Sequence, residues 1–313
     1  MDKIYDVIIL GAGPAGLAAG LYAGRSRLSA LIIEKEGDGG QIAATDQIEN
    51  YPGAMPEGES GSALAARMSA QAERFGAERI SDTIVKAELE GPVKKLTGTA
   101  GEYLGKTVII AAGAVPRPLG CPGEQELTGR GVSYCATCDG AFFQGLPVYV
   151  AGGGDAAVEE AIYLTRFARK VTVIHRRDRL RAAKAIQEKA FADPKIEFLW
   201  DSTVEALEGD GVLERMRLKN VKTGEETCIE ADPSEGLFGL FVFIGLLPAT
   251  ELFGGSLELE NGYIRTDERM RTGIPGVFAA GDIRVKSLRQ VVTAVADGAI
   301  AAVEAGRFLE ERE

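Results

Sequence analysis

Cys135 and Cys138 have two residues between them in the run Cys135-Ala136-Thr137-Cys138-Asp139. That spacing lets them open and close a disulfide with little backbone movement, and an amide-rich turn or helix start there lowers one thiol pKa and keeps it nucleophilic. Asp139, next in the chain, can hand a proton to a departing thiolate if it is partly sheltered. A redox dithiol, a zinc site, an iron–sulfur cluster and a static disulfide compete for such a pair. Zinc asks for four Cys or His ligands and an iron–sulfur cluster runs short in the same way. The other cysteines, Cys121 and Cys228, are single and scattered, and the sole histidine, His175, belongs to another neighbourhood. No metal is expected, and a static disulfide suits an oxidising compartment that nothing else in the chain suggests.

A glycine-rich fingerprint flanks the pair on each side: Gly11-Ala12-Gly13-Pro14-Ala15-Gly16 and Gly152-Gly153-Gly154-Asp155-Ala156-Ala157. In the first, Gly11 makes a tight turn, Gly13 lets the backbone approach a pyrophosphate and Gly16 permits close helix–strand contact. Amide groups and the dipole at the helix start attract the phosphates. Glu34 stands where a carboxylate accepts ribose hydroxyls and repels a 2′-phosphate, so this site favours FAD or NAD over NADP. At the equivalent place in the second unit the chain reads His175-Arg176-Arg177, with Arg181 following. Guanidinium groups there match a 2′-phosphate by charge and bidentate geometry, which predicts NADPH over NADH. Arg179 reads as solvated surface, and the His175 ring as satisfying a local hydrogen bond. A fixed flavin and a mobile nicotinamide around one dithiol make an electron relay.

The elements that must position these residues are legible. Residues 5–10 form an apolar strand, 15–24 an Ala/Leu-rich helix and 29–33 the next strand, the β-loop-α-β pattern of a mononucleotide-binding unit. Continuous Val/Ile/Leu content fits parallel strands buried on both faces. The unit recurs as strand 147–151, helix 155–167 and strand 171–174. Between the two, 61–75 reads as a helix, and 80–89 and 103–110 as strands. Beyond, 262–266 and 277–280 read as strands and 291–310 as a helix. Turn signals place chain crossings near 116–120 and 245–248. The expected fold is α/β: two Rossmann-like three-layer nucleotide-binding domains, the second inserted in the first. Residues 1–117 and 247–313 would form the FAD-binding domain, and 118–246 an NADPH-binding domain carrying the dithiol.

With 313 residues the chain can bury two ordinary cores, and its 40 glycines lack a collagen period. A formal net charge of −11 argues against nucleic acid as a partner. No signal peptide and no membrane-length apolar run is read, so the cytoplasm is the expected compartment.

The chain resembles the low-molecular-weight, bacterial-type thioredoxin reductases of the class II pyridine nucleotide-disulfide oxidoreductases. The resemblance spans essentially the whole sequence. It is carried by Cys135-Ala136-Thr137-Cys138-Asp139-Gly140, Gly40-Gln41, Asn50-Tyr51-Pro52-Gly53, Gly152-Gly153-Gly154-Asp155, His175-Arg176-Arg177 with Arg181, Gly281-Asp282-Ile283-Arg284 and Arg289-Gln290-Val291. It implies one non-covalent FAD per subunit, held by Gly11, Gly13, Pro14, Ala15, Gly16, Glu34, Gly40, Gln41, Asn50, Gly281, Asp282, Arg289, Gln290 and Val291. It implies NADPH as substrate at Gly152, Gly154, Asp155, Ala156, His175, Arg176, Arg177 and Arg181. Cys138 would face the flavin, Cys135 would attack the disulfide of thioredoxin or a thioredoxin-like small dithiol protein, and Asp139 would supply the proton. Homodimers and a rotating NADPH domain are implied too. The departures are small: Pro248-Ala249-Thr250 stands for Pro-Asn-Thr, and Val295-Ala296-Asp297 reads as a changed contact segment. A relative drawing electrons from ferredoxin or another flavin would have lost the second nucleotide site, which this chain keeps.

Overall fold

The computed structural model describes residues 3–45, 47–55 and 57–312, and the chain divides into two compact units, Met1–Val115 with Leu247–Glu313, and Pro116–Leu246.

In the first unit, strand Ile4–Leu10 pairs in parallel with Ala30–Glu34 on one side and Glu102–Ile110 on the other. Ala30–Glu34 in turn pairs with Glu78–Ser81. The end of Glu102–Ile110 accepts Val277–Ala279 in parallel, so a strand from the far end of the chain completes a sheet begun by the first. Its start pairs antiparallel with Lys94–Gly98, which pairs with Ile84–Glu88. The region read as one strand over 80–89 is therefore two strands in different partnerships. They are separated at Asp82, which is buried and collects the Thr99 and Tyr103 hydroxyls.

The parallel strands alternate between two buried faces. Val7, Ile9 and Ile32 pack on helices Pro14–Arg25, Gly61–Arg74 and Val291–Glu310, whereas Ile8, Leu10, Leu31 and Ile33 pack on Leu96, Phe253 and Leu257. Helix, sheet and antiparallel flap make three layers. Gly298 explains how close the first and last helices run: a Cβ there would sit 2.0 Å from the Ala15 carbonyl oxygen.

The second unit repeats the plan with a five-stranded parallel sheet, in the order Ile196–Leu199, Lys170–Ile174, Pro147–Gly152, Gly239–Phe243, Val132–Ser133. One face (Val148, Val150, Val171, Val173, Phe241) carries helices Asp155–Leu164 and Lys184–Ala192. The other (Ala151, Ile174, Leu240, Val242) is covered by an antiparallel meander of Ser202–Glu208, Arg215–Asn220 and Glu226–Glu230. At the chain crossings Arg117 N–H donates to Gly245 and Ala249 N–H to Gly113. Among the described residues no helix is long and apolar enough to cross a membrane.

Candidate functional site

Each glycine loop ends in a helix whose first residue follows a glycine N-cap, Gly13 or Gly154, with no side chain capping it. Helix Gly61–Arg74, by contrast, is capped by the Ser60 hydroxyl accepting Ala63 N–H. The uncapped amides at the starts of helices Pro14–Arg25 and Asp155–Leu164 are free to receive an anion. Space is left for one: a Cβ on Gly13 would meet nothing nearer than 4.0 Å, and one on Gly154 nothing within 4 Å. Gly16 has the opposite reason to be glycine, since a Cβ would lie 1.8 Å from the Gly11 carbonyl oxygen.

Glu34 ends its strand beside the first loop. Its Oε2 accepts Ala12 N–H at 2.7 Å, and its Oε1 accepts Lys35 and Glu36 N–H at 2.8 and 3.2 Å. A carboxylate has about four lone-pair sites, so one is left for a ribose hydroxyl. Gly40 and Gln41 open a short 3-10 turn over the loop, where Gly39 N–H donates to Ala12. Asn50 and Gln290, 240 residues apart, meet through a 3.2 Å side-chain hydrogen bond at the start of helix Val291–Glu310.

Gly281-Asp282-Ile283 forms a 3-10 turn in front of that helix. Asp297, read from sequence only as a contact change, holds this turn. Its buried carboxylate accepts Gly281 N–H at 3.1 Å, Arg284 Nη1 at 3.2 Å and Lys286 Nζ at 2.8 Å. Lys286, which sequence reasoning passed over, thereby lies 3.9 Å from Asp282 Oδ1. That oxygen is buried without a hydrogen-bond partner, as is Nε of Arg289, whose guanidinium lies 3.9 Å from the Tyr263 ring centre. Burial pushes the Asp282 carboxyl above the ordinary carboxylate range, and Lys286 and Arg289 only partly oppose it. A Cβ on Gly281 would lie 2.8 Å from Ala15 Cβ, so these orphaned polar atoms sit in a turn beside the uncapped start of helix Pro14–Arg25 and fit a flavin's polar chain.

Asp282 also yields a pH prediction. A carboxyl with a raised folded pKa contributes its full stability below the unfolded value, and that contribution is lost as the pH rises through the folded one. Above its raised folded pKa the carboxyl of flavin-free protein is ionised and desolvated. Asp282→Asn is expected to stabilise flavin-free protein at pH 7 by about 1–3 kcal/mol, the cost of a buried group without a partner. The gain shrinks towards pH ~4, while flavin affinity falls at least roughly tenfold, one strong hydrogen bond's worth. Thermal melts across pH and flavin titration check both; a destabilised variant at pH 7 refutes the reading.

In the second unit the segment after strand Lys170–Ile174 is tied back to the glycine loop. Arg181 N–H donates to the Gly153 carbonyl at 2.7 Å, and Ala183 N–H to Asp155 Oδ1 at 2.7 Å. This brings exposed Arg176, Arg177 and Arg181 to the uncapped helix start, with Ala156 exposed in its first turn. His175 is 4 % exposed and backs the loop: a Cβ on Gly153 would lie 2.4 Å from its Nδ1. Burial, then the Arg181 and Arg177 charges, push its pKa down, so the ring is neutral at pH 7. Hydrogen bonding to the Gly152 and Arg179 backbone, the local bonding expected for this ring, only partly opposes that shift, while Nε2 is buried and without a partner.

Cys135 and Cys138 are joined as a disulfide. Cys135 caps helix Ala136–Asp139: its Sγ accepts Cys138 N–H at 3.2 Å and lies 3.4 Å from the Thr137 hydroxyl. Both groups stabilise negative charge on Cys135 once the bond opens. Cys138 is exposed and Cys135 half-buried. Asp139 is half-buried, with its Oδ2 2.7 Å from the Ser133 hydroxyl, a residue sequence reasoning did not single out. Phe142, four residues beyond Cys138, is 79 % exposed.

Known proteins were compared with the chain as a whole. The family model of the pyridine nucleotide-disulphide oxidoreductases matches residues 5–298. A thioredoxin reductase of Peptoclostridium acidaminophilum is 56% identical over 311 residues, covering 99% of this chain and 98% of that protein. One from Bacillus subtilis is 49% identical over 313 residues, 99% and 96% of the two chains. The crystal structure of Lactococcus lactis thioredoxin reductase superposes with a TM-score of 0.93 at 46% identity, covering 98% of this chain and 99% of that one.

Proposed function

The chain belongs to the pyridine nucleotide-disulphide oxidoreductase family, and we propose that it reduces the disulfide of thioredoxin, or of a thioredoxin-like small dithiol protein, with NADPH. The observation that carries this reading is the joining of Cys135 and Cys138 at the start of a helix whose amide points at Cys135 Sγ. The first unit is the FAD-binding domain and the inserted unit the NADPH-binding domain. Gly11 to Gly16, Glu34, Gly40, Gln41, Asn50, Gly281, Asp282, Arg289, Gln290 and Val291 hold FAD. Gly152, Gly154, Asp155, Ala156, His175, Arg176, Arg177 and Arg181 hold NADPH.

The chemistry that bound FAD supplies is conversion of a nicotinamide hydride into two electrons for the Cys135–Cys138 disulfide. The remaining chemistry is sulfur exchange by this chain's own residues. Cys135 thiolate attacks one sulfur of the partner disulfide, forming a mixed disulfide and releasing the other partner sulfur as thiolate. Asp139 protonates that leaving sulfur. Cys138 thiolate then attacks Cys135 Sγ, the second partner sulfur leaves, and the Cys135–Cys138 bond is restored. Two electrons have passed outward. Phe142 offers the partner an apolar contact close to the dithiol. A homodimer is supported by Val292, Ile300 and Val303, which form one exposed apolar face on helix Val291–Glu310. The thiol chemistry suits the reducing cytoplasm.

Anaerobic NADPH is expected to bleach the flavin fully as it approaches two equivalents per subunit, one for the Cys135–Cys138 disulfide and one for the flavin, and oxidised thioredoxin to restore its colour. Bleaching by reduced ferredoxin with none by NADPH would overturn the proposal.

A further inference from the structure

Ser133 ends the short strand Val132–Ser133 and is 4 % exposed. Its Oγ accepts Cys135 N–H at 3.0 Å. Two acceptors surround the same oxygen: Asp139 Oδ2 at 2.7 Å and the Cys135 carbonyl oxygen at 3.2 Å. A hydroxyl has one proton and two lone pairs, so it can satisfy only one acceptor at a time. While Asp139 is ionised the proton belongs on the shorter contact, because a charged acceptor makes the stronger bond. The Cys135 carbonyl is not orphaned in that state, since Asp139 N–H donates to it at 3.2 Å. Once Asp139 carries a proton, its acid O–H donates to Ser133 Oγ through the second lone pair, and the serine proton turns to the Cys135 carbonyl. Ser133 Oγ, Asp139 Oδ2 and the Cys135 carbonyl each keep a partner in both states.

From this geometry, and resting on the reading of Asp139 as the proton donor, we infer that Ser133 is the positioning residue that holds Asp139 in both protonation states, donating to the carboxylate and accepting from the acid. When Asp139 gives its proton to the departing partner thiolate, its O–H turns from Ser133 Oγ to the sulfur, and the Ser133 proton swings back from the Cys135 carbonyl to Oδ2. Ser133 ends the step with the proton it began with, and Asp139 is reprotonated from water. The acid is thus kept aimed through the cycle without a buried polar atom being left bare. Few other titratable groups surround it. Cys135 and Cys138 share its turn, and neither Gly140–Phe143 nor strand Gly239–Phe243 carries any. Asp155, Glu159, Glu160 and Tyr163 lie on the neighbouring helix Asp155–Leu164, where Asp155 accepts Ala183 N–H, and Tyr134 beside Ser133 donates its hydroxyl to Glu124.

The test follows the oxidation of pre-reduced, flavin-loaded protein by thioredoxin disulfide in rapid mixing from pH 4 to 9, for Ser133→Ala, Ser133→Thr and Asp139→Asn. Ser133→Ala is expected to slow the step about tenfold and to move the Asp139 limb of the pH profile up by roughly one unit, because the carboxylate loses a donor. Ser133→Thr, which keeps the hydroxyl, is expected to restore both. Loss of shape alone would lower the rate without moving the limb, and that result overturns the inference. A slow Asp139→Asn beside a wild-type Ser133→Ala overturns the inference and spares the Asp139 reading; a wild-type Asp139→Asn overturns both. Should Ser133→Ala not fold, the infrared difference between wild-type protein and Asp139→Asn decides. The protonated carboxyl absorbs as a hydrogen-bonded acid if Ser133 accepts from it, and as a free acid if the inference is wrong.

Discussion

Cys138→Ser is expected to lower thioredoxin turnover by at least ~10³-fold, the scale of losing a covalent participant, and to leave NADPH still able to bleach the flavin. The same variant should form a stable covalent adduct with thioredoxin. Cys135 keeps the features that favour its thiolate, apart from the replaced neighbour itself: the amide of residue 138 still donates to its Sγ and the Thr137 hydroxyl still lies beside it. It can attack the partner disulfide but finds no second thiol to release the product. A hydroxyl cannot complete the exchange, since it neither ionises near neutral pH nor forms a bond that a thiol can reverse. The adduct should run at the summed mass on a non-reducing gel and fall apart with dithiothreitol. Cys135→Ser should be as inactive yet form little adduct, because Cys138 lacks the donors that face Cys135. An adduct from Cys135→Ser and none from Cys138→Ser would exchange the two roles, and free turnover in either variant would remove the dithiol from the path.

What could be read in advance was what is local along the chain. Gly11 to Gly16 and Gly152 to Gly154 announce themselves because a tight turn, an uncapped helix start and a close contact all fall within six residues. The structure then supplies the reasons, such as the 1.8 Å that a Gly16 side chain would leave. Cys135 and Cys138 were equally plain, being joined across a single helical turn. What escaped depends on partners far away in sequence. Nothing in Val295-Ala296-Asp297 says that its carboxylate will gather Gly281, Arg284 and Lys286. The 80–89 region looked continuous because apolar character does not reveal that Asp82 turns back to Thr99 and Tyr103. The meander over 202–230 was passed over although Arg215-Met216-Arg217-Leu218 alternates as a half-buried strand should, with Met216 and Leu218 inside. Ser133 gave no signal of its own; only its contact with Asp139 marks it.

Arg176→Ala combined with Arg177→Ala is expected to cut the preference for NADPH over NADH by about 10²–10⁴-fold, at roughly 1.5–3 kcal/mol for each charged hydrogen-bonding partner lost. The fall should lie in KM for NADPH, with NADH changed little, because the arginines would meet the phosphate that only NADPH carries. Position supports this reading. Arg181 N–H is fastened to Gly153 and Ala183 N–H to Asp155, so the arginine segment is held against the glycine loop rather than loose on the surface. Asp178, the carboxylate in the same stretch, is engaged by Lys222 and does not neutralise that face. His175 adds no charge at pH 7, since burial and two neighbouring arginines keep it neutral, so discrimination rests on the guanidinium groups. They are exposed, and their attraction is screened: raising salt from ~0.05 to ~0.5 M shortens the Debye length severalfold and should erode the wild-type preference but hardly touch the variant's. Steady-state kcat/KM for both nucleotides at two salt concentrations measures all of this. An unchanged NADPH-to-NADH ratio in the double variant would detach these arginines from the 2′-phosphate and leave the second glycine loop open to either nucleotide.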